Sequence, residues 1–67
     1  MDDKKLLFIY NPRAGKGQIR NNLLDIIDTF VKAGYDVTAR PTQYAGEAVE
    51  LAADRTAKYD LVVCSGG

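Results

Sequence analysis

The chain has 67 residues, nine basic and nine acidic, and a formal net charge of zero. Such a balance lacks the strongly positive face that non-specific nucleic-acid binding needs, so no nucleic-acid partner is expected, and no polybasic stretch marks a membrane anchor. With no histidine and the single cysteine Cys64, neither an internal disulfide nor a structural zinc site is expected, and a chain of this size buries only about 60% of its unfolded surface, which makes its own core marginal.

Charged residues at Asp2 to Lys5 precede the apolar run Leu6 to Tyr10. That run is too short for a signal-peptide core or a bilayer span. A cytoplasmic location is therefore expected, and a lone thiol in an apolar setting agrees with a reducing compartment. Contact with a membrane surface through residues outside this chain stays open. The run itself suits a strand buried on both faces, as in parallel sheets. Asn11 to Gly17 reads as a turn. Gln18 to Ala33 predicts a helix, because Ile19, Leu23, Ile26, Ile27, Phe30 and Val31 recur three or four apart. Gly34 stands where a left-handed cap needs a residue without Cβ. Tyr35 to Arg40 predicts a second strand, ended by Pro41. Ala45 to Ala57 predicts a second helix. Ala48, Val49, Leu51, Ala52 and Thr56 form its less polar side, and Glu47 and Glu50 lie where the helix dipole favours acid. Leu61 to Cys64 predicts a third apolar strand, followed by Ser65-Gly66-Gly67.

Alternating strands and helices with short connections imply parallel pairing and right-handed crossovers. The fold class expected is α/β, a three-stranded parallel βαβαβ segment of a Rossmann-like nucleotide-binding domain. Three strands with two helices leave faces and edges poorly covered, so residues 1–67 are expected to be the first part of a larger domain. In open α/β sheets ligands bind at the carboxyl ends of the strands. Asn11 to Gly17, Pro41 to Gly46 and Ser65 to Gly67 all fall there. The first and third are rich in glycine, which lets backbone N–H groups approach an anion. An ordinary strand-to-helix turn is the other reading of either one alone; the two at one sheet edge favour a polyphosphate.

Common phosphate fingerprints do not account for these loops. A Walker A loop needs Gly-Lys followed by Ser or Thr, and Gly17 follows Gly15-Lys16 here. The dinucleotide pattern begins at Gly15-Lys16-Gly17 but meets Arg20 at its third glycine. A receiver domain would carry an Asp at the end of its third strand, where Cys64-Ser65 stands. One pattern fits better. Asn11-Pro12-Arg13-Ala14-Gly15 resembles the N-P-x-[AS]-G signature of diacylglycerol kinases and related lipid kinases. Ala33-Gly34-Tyr35-Asp36-Val37 is similar to that family's A-G-[YF]-x-[VT]. Thr42 to Ala48 is similar to T-x-x-x-G-[DE]-A, and Tyr59 to Gly67 resembles the strand entering the G-G-D-G-T loop.

The resemblance covers essentially the whole chain. It implies that Asn11, Pro12, Arg13, Ala14 and Gly15 line ATP phosphates, that Thr42 contacts the nucleotide, and that Gly66 and Gly67 offer backbone N–H groups. It further implies ATP and Mg²⁺ as cofactors, with the metal-linked aspartate directly after Gly67 and no catalytic or metal residue within the chain. The expected activity is transfer of the γ-phosphate to a diacylglycerol-like lipid, giving phosphatidic acid. It also implies peripheral membrane contact and a second β-rich domain through parts beyond these residues, and a homodimer is kept as an open partner state. The isolated residues are expected to be inactive. A nicotinamide-dinucleotide kinase and a non-catalytic nucleotide-binding module are the alternatives.

The residue types agree with that map. Asn11 can donate and accept, or simply build a turn. Pro12 lowers the cost of ordering the loop. Arg13 and Lys16 can clamp a polyphosphate or remain solvated. Thr42 can touch a ligand, cap the second helix, or do both. Cys64 reads as an inert core thiol, and Tyr44 and Tyr59 as packing residues.

Overall fold

The computed structural model describes residues 4–13 and 17–65. Strand β1 (Lys4–Tyr10) is followed by helix α1 (Gln18–Lys32), strand β2 (Tyr35–Pro41), helix α2 (Glu47–Arg55), a 3-10 turn (Thr56–Lys58) and strand β3 (Leu61–Ser65). The sheet order is β2-β1-β3, and both pairings are parallel. The α/β reading of the sequence is therefore observed.

The central place of β1 explains its unbroken apolar run. Successive side chains point to opposite faces of a strand, and Leu6, Leu7, Phe8 and Ile9 are all buried. Leu7 and Ile9 pack with Leu51 of α2, joined by Ala48, Ala52, Tyr59 and Val62. On the other face Phe8 meets Phe30 of α1, ring centroids 6.2 Å apart, and stacks on Tyr10 at 5.8 Å. Helices α1 and α2 thus cover opposite faces. Each fully buried side chain of this kind stabilises the fold by roughly 1.5–3 kcal/mol.

Helix α1 leans towards β2, where Phe30 meets Tyr35 edge-on at 6.3 Å. Its stripe is only half covered. Ile19, Leu23, Ile26, Ile27 and Phe30 are partly buried, but Val31 is 51% exposed, against the expectation that it shares the covered stripe. The helix ends as anticipated, with Gly34 at φ 99° and its N–H donating to the Val31 carbonyl at 3.0 Å.

Strand β3 departs from its apolar reading. It lies at an edge of the sheet, and Leu61 and Cys64 are exposed. Its start is tied to β1 by Asp60, whose Oδ2 accepts from the Lys5 N–H at 2.7 Å and whose N–H donates to the Lys5 carbonyl at 2.8 Å. Helix α2 is shorter than expected at both ends. It begins after Gly46, which has φ 88°, and gives way to the 3-10 turn after Arg55. Within it, Leu51 is buried while Val49 points outward, 74% exposed, because only one stripe of a helix can face the sheet.

The topology sets where a ligand can sit. From β1 the chain crosses to β2 on one side and then returns to β3 on the other. The gap outside the carboxyl ends of β1 and β3 is a topological switch point, the usual ligand crevice of open α/β sheets.

Candidate functional site

The carboxyl ends of the three strands are knitted together by backbone hydrogen bonds. The Asn11 N–H, first after β1, donates to the carbonyl of Ser65, the last residue of β3, at 3.3 Å. The Thr42 N–H, first after β2, donates to the carbonyl of Tyr10, the last residue of β1, at 2.8 Å. The carboxyl ends of β1, β2 and β3 therefore lie side by side.

Asn11 also shapes its own loop. Its Oδ1 accepts from the Arg13 N–H at 2.9 Å, an Asx-type turn. This occupies the acceptor end of the carboxamide and leaves the NH₂ end for any further partner. Pro12 and Arg13 follow; Ala14, Gly15 and Lys16 lie outside the described residues, as do Gly66 and Gly67.

A cleft of about 390 Å³ opens between the first two loops. It is lined by Asn11, Pro12, Arg13 and Arg20 from the first loop and α1, and by Thr42, Gln43, Tyr44 and Ala45 from the second loop. A neighbouring hollow of about 290 Å³ shares Asn11, Thr42, Tyr44 and Ala45, and extends to Gly46, Ala48, Cys64 and Ser65. The cleft contains two guanidinium groups and no carboxylate among its lining residues. Arg20 was not singled out in the sequence, where it reads as one polar position on an amphipathic helix. The short turn between β1 and α1 places the first turn of that helix at the cleft.

The second loop is held by Glu47, the acidic position of the T-x-x-x-G-[DE]-A pattern, to which the residue types assigned only a helix-dipole role. Glu47 is 7% exposed. Its Oε1 accepts from the Gln43 N–H at 2.5 Å, and its Oε2 from Arg40 Nη2 at 3.2 Å. This ties the end of β2, the loop and the start of α2 into one unit. The legible signal was an Arg and a Glu seven residues apart across a Gly-containing turn, a spacing that no helix or strand periodicity picks out.

Three expectations about single residues change. Thr42 does not cap α2, because that helix starts five positions later, at Glu47; it lines the cleft instead. Tyr44 is not a packing residue. It is 57% exposed, and its hydroxyl donates to Glu50 Oε2. That hydrogen bond to a carboxylate raises the phenol above its ordinary pKa. Cys64 is exposed and borders the neighbouring hollow, because it stands on an edge strand and not in the core. Tyr59 does pack against the core, as read.

A separate cleft of about 430 Å³ lies at the amino ends of the strands, lined by Lys5, Asp36, Thr38 and residues of the α2 end. It mixes charges of both signs and contains none of the loop residues. Among the described residues no group of three or more His, Cys, Asp or Glu is placed to hold a metal ion. No described helix is long and apolar enough to cross a membrane.

The sequence model of the diacylglycerol kinase catalytic domain matches residues 5–67. The chain is 38% identical over 66 residues to a diacylglycerol kinase of Staphylococcus aureus (strain MRSA252), covering 96% of this chain and 21% of the relative. It is 38% identical over 61 residues to that of Staphylococcus haemolyticus (strain JCSC1435), covering 88% and 18%. It is 31% identical over 65 residues to that of Bacillus subtilis (strain 168), covering 96% and 22%. The chain thus spans about a fifth of the length of these relatives. A match along nearly all of its residues, on a parallel sheet in which the ends of β1 and β3 lie side by side at a switch point, places this chain in the diacylglycerol kinase catalytic domain family.

Proposed function

We propose that the cleft beside Asn11 and Thr42 is the nucleotide site of an ATP-dependent lipid kinase. The observation that carries the reading is the joining of the three strand ends beside a hollow with two arginines and no carboxylate. A polyphosphate suits that lining, since guanidinium groups bind phosphate oxygens through charge-assisted hydrogen bonds. The reaction breaks the bond between the γ-phosphorus and the bridging oxygen of ATP. It forms a bond to the hydroxyl oxygen of a diacylglycerol-like acceptor, whose proton passes to a base, releasing ADP and giving phosphatidic acid. Such transfer depends mainly on positioning and charge stabilisation.

In this reading Arg13 and Arg20 supply positive charge along the phosphates. Asn11 offers its NH₂ group and keeps its loop in shape, and Pro12 reduces the entropy lost on ordering it. Ala14, Gly15, Gly66 and Gly67 provide close backbone approach. Thr42 contacts the nucleotide from the second loop. A divalent cation, Mg²⁺, would neutralise phosphate charge during transfer. The family resemblance puts its metal-linked aspartate directly after Gly67, and this reading assigns the base and the lipid-binding parts to segments outside this chain. Those segments also carry any membrane-surface contact.

The test is phosphoryl transfer from labelled ATP by the full-length protein, with dispersed diacylglycerol and a dinucleotide offered as separate acceptors. Labelled phosphatidic acid supports the proposal. Transfer to the dinucleotide alone points to the nicotinamide-dinucleotide kinase class. ATP binding without transfer to either points to a regulatory module.

A further inference from the structure

One exposed side chain in the cleft has no partner in the phosphate chemistry. Tyr44 borders both the cleft and the neighbouring hollow. Its ring is 57% exposed and stacks on no other ring among the described residues. Its position is nonetheless defined. The hydroxyl donates to Glu50 Oε2, one turn into α2, and the Gly46 turn beneath it is held by Glu47 through the Gln43 N–H. An aromatic face held at the rim of a hollow is a platform for a flat ligand, and base–aromatic stacking is tolerant of base identity because every base has a π-face.

The charges are arranged to match. Arg13 and Arg20 line the cleft from the first loop and α1, where phosphates are favoured, while Tyr44 lines it from the second loop and has the acidic Glu50 beside it. A polyanion would be repelled from the Glu50 side and an uncharged base would not. We infer that Tyr44 is the base-stacking platform of the nucleotide site, receiving the purine ring of the nucleoside triphosphate while the arginines take its phosphates. This inference depends on the nucleotide reading above and adds to it the residue that distinguishes a nucleotide from a bare polyphosphate.

The experiment compares ATP and inorganic tripolyphosphate binding by the full-length protein, using calorimetry, for the parent, Tyr44→Phe and Tyr44→Leu. Tyr44→Leu is expected to weaken ATP roughly tenfold, the scale of one lost stacking contact. Tripolyphosphate affinity should stay within about twofold of the parent. Tyr44→Phe, which retains the ring, should keep most of the ATP affinity. Equal losses for both ligands in Tyr44→Leu would mean that the side chain only supports the loop, and would overturn the inference. An ATP affinity unchanged in Tyr44→Leu would overturn it too, as would a loss in Tyr44→Phe as large as that in Tyr44→Leu. If the parent bound neither ligand, the nucleotide reading itself would fail, a result distinct from these.

Discussion

The Glu47 carboxylate reaches back to Arg40, with Oε2 3.2 Å from Nη2, and so joins the end of β2 to the first turn of α2 across the second loop. Glu47 is buried and Arg40 is 38% exposed at its side chain. Removing one partner leaves the other short of hydrogen bonds in a partly dry place, which costs more than the pair itself is worth. Glu47→Ala in the full-length protein should lose about 1–3 kcal/mol of stability, the lower part of the range for buried charge networks because Arg40 keeps some water. Glu47→Gln keeps an acceptor for the Gln43 N–H and should lose less. Urea denaturation measures both, and equal, negligible losses would show that the loop is held by other contacts.

Leu51 is the large apolar side chain of α2 that closes over Leu7 and Ile9, with Ala48 and Ala52 beside it. Leu51→Ala should cost about 2–4 kcal/mol, as for other large-to-small changes in a core. Val49→Ala, on the same helix but 74% exposed, should fall within about 0.5 kcal/mol of the parent. A thermal melt of the two variants side by side tests the orientation of α2, since a helix rotated by about half a turn would reverse the order.

Asn11 Oδ1 holds the Arg13 N–H. Asn11→Ala removes both this turn and the NH₂ group that the proposed function assigns to the nucleotide. Under the proposed function, its KM for ATP should rise about tenfold or more, with little change in melting temperature. Arg20→Ala should likewise raise KM for ATP by roughly five- to tenfold, and the effect should shrink as salt is added. Steady-state kinetics at two ionic strengths provides the check; an Arg20 effect insensitive to salt would argue against a charge role.

Tyr44 gives a pH prediction. The Glu50 carboxylate, accepting its hydrogen bond, raises the phenol above the ordinary tyrosine value. Because the folded value exceeds the unfolded one, whatever stability this contact contributes is fully present below the ordinary tyrosine pKa. It is lost as pH rises through the raised value. At neutral pH the contact is therefore intact. A phenolate absorbance titration, taken as the difference between the parent and Tyr44→Phe, should show Tyr44 ionising above its ordinary value. In the Glu50→Gln background that midpoint should move down. A midpoint unaffected by Glu50→Gln would remove the carboxylate as the cause.

Exposure of Cys64 beside the second hollow predicts that a water-soluble maleimide labels it in the folded protein. Saturating ATP should slow labelling if the nucleotide occupies the cleft and its neighbour. Mass spectrometry of the modified peptide reads the rate, and no labelling in the native state would mean that other segments cover this edge of the sheet.

Local pattern was enough for much of this molecule. The apolar run Leu6 to Tyr10 specifies a strand covered on both sides, the three-to-four spacing from Ile19 to Phe30 specifies an amphipathic helix, and Gly34 marks its end, because each depends on neighbours along the chain. The motif order around Asn11, Gly34, Thr42 and Gly66 was likewise sufficient to identify the family. Tertiary structure alone decided what depends on neighbours in space. The strand order β2-β1-β3 puts Asn11 beside Ser65 and leaves β3 at an edge, so that Cys64 meets solvent where its apolar surroundings in sequence suggested a core. Sequence spacing could not show that Arg20 would reach the cleft. Nor could it show that Glu47 would turn from the helix dipole to Arg40 and Gln43, or that Tyr44 would stand on the rim and not in the packing. Each of these is a contact across a turn or between strands, set by the path of the backbone in three dimensions and not by any period along it.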